Sequence, residues 1–260
     1  MIFERVVCGV ETSPESLVAV RQAARLVEPD GRLVLTAVAD VAIAVHAGWA
    51  ATAVHEEIVT EAQTALDTAG TEAPNAETAL LQGSPGESLL STTRMEGADL
   101  IVVGTHGGSR AKGIVLGSVA TLMLHEAPCS VLIARPSANG ADFPRQICIG
   151  VDGSASSAHA AETGRALAAR LSATKTIVAA CGEKKLNLDE LRTVEPNAEI
   201  DHRPAVEALV AKAAEAGADL LVVGSRGLHG VKALGSVSER VAHRAGCSVL
   251  VVREKETEME

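Results

Sequence analysis

A chain of 260 residues with 33 acidic and 23 basic side chains carries a formal net charge of −10, which weighs against broad attraction to nucleic acid or to an anionic membrane. It is 47% apolar, mostly Ala, Val and Leu, with one Trp, two Phe and no Tyr; that supplies cores but leaves little aromatic surface on which single-stranded nucleic acid could stack. The length suggests two domains on a prior of roughly 100–200 residues each.

No stretch reaches the ~18 consecutive apolar residues expected of a membrane-spanning helix. The opening Met-Ile-Phe-Glu-Arg lacks a signal peptide's basic start and apolar core. A cytoplasmic protein is the expectation. The five cysteines, Cys8, Cys129, Cys148, Cys181 and Cys247, lie in or beside apolar runs and form no C-x-x-C pair. Buried free thiols are expected, with a metal site or a disulfide as the alternatives.

In chain order, Arg5–Glu11 reads as a strand. Thr12-Ser13-Pro14-Glu15 then supplies a helix start: a hydroxyl cap, an early proline and an acid in the first turn. Leu17, Val20, Ala24 and Val27 follow at helical spacing, and Pro29-Asp30-Gly31 ends the run. Leu33–Val38 is a second strand. Residues 41–48 are apolar and carry no clear pattern. Ala50–Ala69 is a long helix closed by Gly70. Glu77–Leu81 is a third strand, and Gly83–Glu87 turns into a helix over Ser88–Glu96. The apolar run after Asp99 is a fourth strand. A helix over Val119–Ala127 and a strand over Ser130–Ala134 complete the set. Strands alternating with helices imply right-handed crossovers and a parallel sheet covered on both faces.

Pro136–Pro144 is polar and rich in turn formers, and reads as a linker. After it the pattern restarts. Gln146–Asp152 echoes Arg5–Glu11. Ser154–Leu171 is a helix and Thr176–Cys181 a strand. Gly97-Ala-Asp-Leu-Ile-Val-Val-Gly104 returns as Gly217-Ala-Asp-Leu-Leu-Val-Val-Gly224, and Cys129-Ser-Val-Leu132 returns as Cys247-Ser-Val-Leu250. The chain is therefore a tandem repeat at domain scale. The second copy is trimmed, with room for only a short charged helix between Cys181 and Ile200. The tail over residues 255–260 is charged.

The stretch Gly104–Ser118 reads GTHGGSRAKGIVLGS. It joins a buried strand to a helix start. The first amides of a helix have no intrahelical partner, and the helix dipole adds positive charge there. Glycines let a phosphate approach the backbone. This stretch is the candidate phosphate cradle. Arg110 and Lys112 lie in it and either neutralise phosphate or are solvated charge; Lys232 is their echo.

The spacing Gly104-x2-Gly107-x9-Gly117-Ser118 resembles the nucleotide loop of the universal stress protein family. The flanking GADLIVVGTHG and CSVLIAR segments, the GVDGS at Gly150 and LQGSPGESLL at Leu81 are similar to that family too. The resemblance covers nearly the whole chain, twice. It implies an α/β protein of two tandem Rossmann-like domains with flavodoxin-like order, each a five-stranded parallel sheet with helices on both faces. The expected boundaries are 1–137, a linker at 138–145, and 146–254. It implies ATP, with or without Mg2+, bound across the carboxyl ends of the strands. It also implies that Ser130–Ala134 and Ser248–Val252 pair as an intramolecular pseudo-dimer, with a homodimer as a further option.

By the same resemblance, Glu11 and Asp152 face the adenosine and Val38 packs on adenine. Gly104, Gly107, Gly117, Ser118 and Val119 would hold ribose and phosphates in the first copy. Gly224, Gly227, Gly235, Ser236 and Val237 are their counterparts. Three departures stand out. Glu11 replaces the family's Asp and reaches one methylene further. Gly227 to Gly235 spans two residues fewer than Gly107 to Gly117. Arg203 stands where the first copy has Gly83.

Plainer readings stand beside these. Gly104 and Gly224 could simply end strands, Asp152 could be a helix-cap residue, and Asp99 and Asp219 would make turn hydrogen bonds. His106 is expected to be a loop histidine without catalysis, since no acid or nucleophile stands demonstrably beside it. The sequence contains no Walker-type loop, no nucleophile elbow and no dinucleotide fingerprint after either first strand. Binding is favoured over turnover. The expected function is a regulatory stress-response protein in which an adenine nucleotide modulates a surface for a protein partner, with little or no hydrolysis. The alternatives are a nucleotide-free interaction module and an adenylyl- or phosphoryl-transfer enzyme.

Overall fold

The computed structural model describes residues 2–41, 51–105, 116–137, 142–180, 195–225 and 235–254. The unassigned stretch at 42–48, the loop residues His106, Gly107, Arg110, Lys112, Gly227 and Lys232, the expected charged helix after Cys181 and the tail at 255–260 all lie outside them. The chain divides into two compact units, Phe3–Pro128 and Cys129–Glu260.

Unit one contains β1 (Arg5–Val10), α1 (Pro14–Leu26), β2 (Arg32–Ala39), α2 (Ala51–Glu72), β3 (Glu77–Gln82), α3 (Pro85–Met95), β4 (Leu100–Gly104) and α4 (Ser118–Glu126). Its strands are parallel and pair in the order β3-β2-β1-β4. That is the Rossmann order, and it corrects the flavodoxin-like order expected above. The first three strands add in one direction, and the crossover through α3 then returns the chain to the far side of β1.

Ser13 caps α1 as its sequence signal predicts, its Oγ accepting the Ser16 amide at 3.2 Å. The buried stripe is Ala19, Val20, Ala23 and Leu26, rotated about one residue from the spacing read in the sequence. Helix α2 runs past Gly70 to Glu72. A Cβ at Gly70 would meet nothing within 4 Å, so this glycine lies in the helix without ending it. The core of the unit includes the fully buried side chains Leu26 of α1, Leu35 of β2 and Leu100 and Ile101 of β4, the last two on opposite faces of the sheet. Each such side chain contributes about 1.5–3 kcal/mol.

Unit two contains β5 (Ser130–Ala134), β6 (Gln146–Val151), α5 (Ala155–Leu171), β7 (Thr174–Ala180), β8 (Glu199–Asp201), α6 (Ala205–Glu215), β9 (Leu220–Gly224), α7 (Ser236–Arg244) and β10 (Ser248–Val252). Its parallel strands run β8-β7-β6-β9-β10. Strand β5 closes the first repeat in the sequence, yet it falls in unit two and pairs antiparallel with β10. Val131, Leu132 and Ile133 face Val251, Leu250 and Val249. The Arg135 amide donates to Ser248 Oγ at 3.0 Å, and the Arg253 amide donates to Ser130 Oγ at 3.2 Å. Phe143, at the end of the linker, is fully buried.

The strand starts are tied alike in both units. Asp99 accepts the amides of Glu4 and Arg5, and Asp219 accepts those of Arg145 and Gln146, at 3.0–3.2 Å. Both acids are structural, but their bonds run to the start of the first strand of the repeat, 73–95 residues away, rather than within the local turn expected above.

Candidate functional site

In each unit the strand order reverses beside the first strand: between β1 and β4, and between β6 and β9. The crevice outside the carboxyl ends at such a reversal is where open α/β sheets hold ligands. Its walls are the turn after the first strand, the segment after the fourth, and the end of the second.

The first wall is a cap network. Ser13 Oγ donates to Glu11 Oε1 at 2.5 Å, and the Glu11 amide donates to Ser16 Oγ at 2.9 Å. In unit two the Ser154 hydroxyl and amide donate to Asp152 Oδ1 at 2.6 and 3.0 Å, while the Asp152 amide donates to Ser157 Oγ at 3.2 Å. Both acids are half-buried at the mouth. The shorter Asp152 accepts two bonds from one serine; the longer Glu11 reaches the Ser13 hydroxyl. Helix α5 is capped by Ser154, which accepts the Ser157 amide at 3.2 Å. The cap role weighed for Asp152 therefore falls in part to Ser154, with Asp152 holding the cap.

The second wall is the helix start after the fourth strand. Gly117 is the N-cap of α4, with extended backbone at φ −65° and ψ 163° and no side-chain capping bond. Its amide donates to the Thr105 carbonyl at 2.7 Å. Gly235 does the same for α7, donating to the Ser225 carbonyl at 2.7 Å. Ser118 and Ser236 are exposed, while Val119 and Val237 are half-buried. Two helices thus flank each crevice. One is capped by its own serine; the other starts at a glycine, which has no side chain to cap its amides. Anions are drawn to such an end.

Gly104 and Gly224 have a packing reason of their own. A Cβ on Gly104 would lie 3.4 Å from the Glu15 carbonyl, an ordinary contact with α1. A Cβ on Gly224 would lie 2.6 Å from Ser156 Oγ and 2.7 Å from its carbonyl oxygen. The Ser238 hydroxyl also donates to the Gly224 carbonyl at 2.5 Å. Ser238 occupies the place of Ala120 in α4, which has no hydroxyl to give.

The third wall differs between the two units. Val38 pairs with Leu81 across β2 and β3, and the β1–β2 register, continued one residue, brings Glu11 beside Val38. Val38 and Leu81 are both half-buried. The same positions in unit two are Ala180 and Asp201, which pair across β7 and β8. Asp201 is buried and accepts from Arg203: the backbone amide at 2.8 Å, and Nε at 3.0 Å to each oxygen. Arg203 Nη2 reaches Asp201 Oδ2 at 2.5 Å and Glu215 Oε1 at 3.3 Å. Hydrogen bonds from Arg203 hold the Asp201 carboxyl down at about 2. In unit one, Gly83 takes the place of Arg203 with φ +136°, a conformation that side chains disfavour, and its amide donates to the Ala39 carbonyl at 3.0 Å. Asp201 carries no signal in a linear reading, and the segment LQGSPGESLL does not mark Leu81 as a site residue, because only the strand register places the two at the mouth.

Among the described residues no three His, Cys, Asp or Glu side chains gather as metal ligands, and no helix is long and apolar enough to cross a membrane. Cys8, Cys129, Cys148 and Cys247 are thiols outside any disulfide. Burial pushes the Cys148 thiol up to about 12 and the Cys247 thiol to about 11.

Two doubly wound α/β repeats, each with a crevice at its switch point, define the class. The chain belongs to the universal stress protein family, whose profile matches residues 2–135 and 178–253. It is 31% identical over 141 residues to a universal stress protein of Mycobacterium tuberculosis, covering 50% of this chain and 95% of that protein. It is 44% identical over 62 residues to one from Thermus aquaticus, covering 24% of this chain; the chain spans 45% of that relative's length. A crystal structure of a universal stress protein from Archaeoglobus fulgidus superposes with a TM-score of 0.72 at 20% identity, over 96% of this chain and 98% of that one. A putative universal stress protein from Pseudomonas aeruginosa gives 0.69 at 16%, over 96% and 93%. Both share the fold.

Proposed function

We propose that unit one binds an adenine nucleotide, ATP foremost, at the switch-point crevice between β1 and β4, and that occupancy modulates a surface read by a protein partner. The observation that carries this is the contrast between the two helix starts flanking the crevice. Ser13 satisfies α1, whereas α4 begins at Gly117 with no side-chain cap. The phosphates would take the α4 amides and the Ser118 hydroxyl, in the manner of anions at helix N-termini. Val38 and Leu81 supply an apolar rest for the base, and Glu11 stands in reach of ribose hydroxyls.

Little or no hydrolysis is part of the proposal. Glu11, the carboxylate at this mouth, already accepts the Ser13 hydroxyl, which suits positioning better than proton abstraction. Mg2+ would be held by phosphate oxygens and water rather than by a cluster of protein carboxylates.

The test is denaturation of purified protein followed by mass spectrometry of the released small molecules, with calorimetric titration of ATP, ADP and AMP. Gly117→Val is the matching variant. The extended backbone at Gly117 is one that valine adopts without strain, circular dichroism checks that the fold is kept, and the branched side chain is expected to cover the amides. Binding that persists in this variant overturns the assignment of the loop.

A further inference from the structure

We infer that the Asp201–Arg203 ion pair closes the second crevice to nucleotide, so that the chain takes one nucleotide, in unit one. The inference rests on the nucleotide reading of unit one and adds which site is used and what excludes the other.

The two crevices share their cap networks and their helix starts. Besides the span from Gly227 to Gly235, two residues shorter than Gly107 to Gly117, they differ where a base would lie. In unit one the register sets Val38 beside Leu81, two half-buried aliphatic side chains with Gly83 following. A glycine there leaves the approach open. In unit two the same places hold Ala180, Asp201 and Arg203. The apolar rest is replaced by a small methyl and a buried carboxylate.

That carboxylate is already engaged. Arg203 gives it a backbone amide and two guanidinium nitrogens, and a second acid, Glu215, accepts from the same Nη2. For a base to settle on this surface the guanidinium must leave. Asp201, 7% exposed, would then lose these charge-assisted hydrogen bonds and depend on water entering where the half-exposed guanidinium now lies. A planar, fork-shaped donor bound to a carboxylate is also the geometry least willing to rearrange.

The end of β9 in unit two is also packed more tightly than the end of β4 in unit one. The Gly224 position lies 2.7 Å from the Ser156 carbonyl, measured from the Cβ it would carry, where Gly104 lies 3.4 Å from Glu15. Ser238 ties the end of β9 to α7 through the Gly224 carbonyl. These contacts pack the end of β9 tightly on α5 and α7, and the ion pair takes the place of an apolar floor.

The experiment is calorimetric titration of ATP into the full chain, nucleotide-free after refolding, with circular dichroism confirming each variant's fold. The expected result is one equivalent for the parent chain, none for Gly117→Val, and one with unchanged affinity for Gly235→Val. Asp201→Leu combined with Arg203→Gly should raise the count to two. Two equivalents in the parent chain, or one that is lost in Gly235→Val and kept in Gly117→Val, would overturn the inference while leaving nucleotide binding intact. A double variant that stays at one equivalent removes the ion pair as the cause. No binding by the parent chain defeats the nucleotide reading itself.

Discussion

The guanidinium of Arg135 donates from Nη2 to the carbonyl of Ala242 at 2.5 Å, and from Nη1 to that of Cys247 at 3.3 Å. A cation that is 7% exposed thus serves the carbonyl end of α7, where the helix dipole welcomes positive charge. Burial lowers its pKa to about 10, and it stays protonated at neutral pH. Arg135→Met keeps the length and removes the donors. It should cost about 2–3 kcal/mol, the scale of lost hydrogen bonds to a buried charged group, read as a lower urea midpoint with unchanged slope.

Thr36 offers the opposite case. Its side chain is fully buried in β2, and its Oγ1 has no hydrogen-bond partner among the described residues. The register makes Val178 its counterpart in unit two, since Thr36 pairs with Gly9 and Val178 with Gly150. Thr36→Val should stabilise the protein by about 1 kcal/mol, because a buried unpaired hydroxyl is exchanged for a methyl of the same shape. A thermal melt measures it, and a lower melting temperature would show that the hydroxyl has a partner.

Much of this architecture was legible in the linear text. Parallel strands buried on both faces read as continuous apolar runs, and Leu100–Gly104 and Leu220–Gly224 are such runs, each entered through Gly-Ala-Asp. Ser13 with Pro14 announced its helix. Other features depend on partners far away in sequence. Gly70 signals a stop, but its helix continues because packing, not the local propensity, sets the end. The strand order turns on where one crossover lands. Arg203 could be singled out as bulk, whereas its bond to Asp201 and the place of Leu81 beside Val38 emerge only from strand register.

The two strand-ending glycines should respond differently to a methyl group. Gly224→Ala drives a Cβ to within 2.6–2.8 Å of Ser156, including backbone atoms that cannot turn aside. A cost of about 1–3 kcal/mol follows from overpacking. Gly104→Ala makes only ordinary contacts at 3.4–3.5 Å with Glu15, and its loss should be well under half as large. Paired urea titrations of the two variants give the comparison directly.

Asp201 fixes a pH window. Its carboxyl ionises near 2 in the folded chain, against about 3.9 when unfolded. A depressed carboxyl pKa stabilises the fold above the unfolded value, and that stability is lost as pH falls toward the folded one. The parent chain should therefore weaken between about pH 4 and pH 2 more steeply than Asp201→Asn. Urea midpoints across that interval test this, and parallel curves would refute it.

The antiparallel ladder of β5 with β10 sets where the gene can be divided. A fragment begun after the linker leaves out β5 and bares the main-chain donors and acceptors of Val249 and Val251 along an aliphatic rim. Such a rim recruits other copies of itself. Anyone wishing to isolate the second repeat should start upstream of Ser130, so that the fragment carries its own cover.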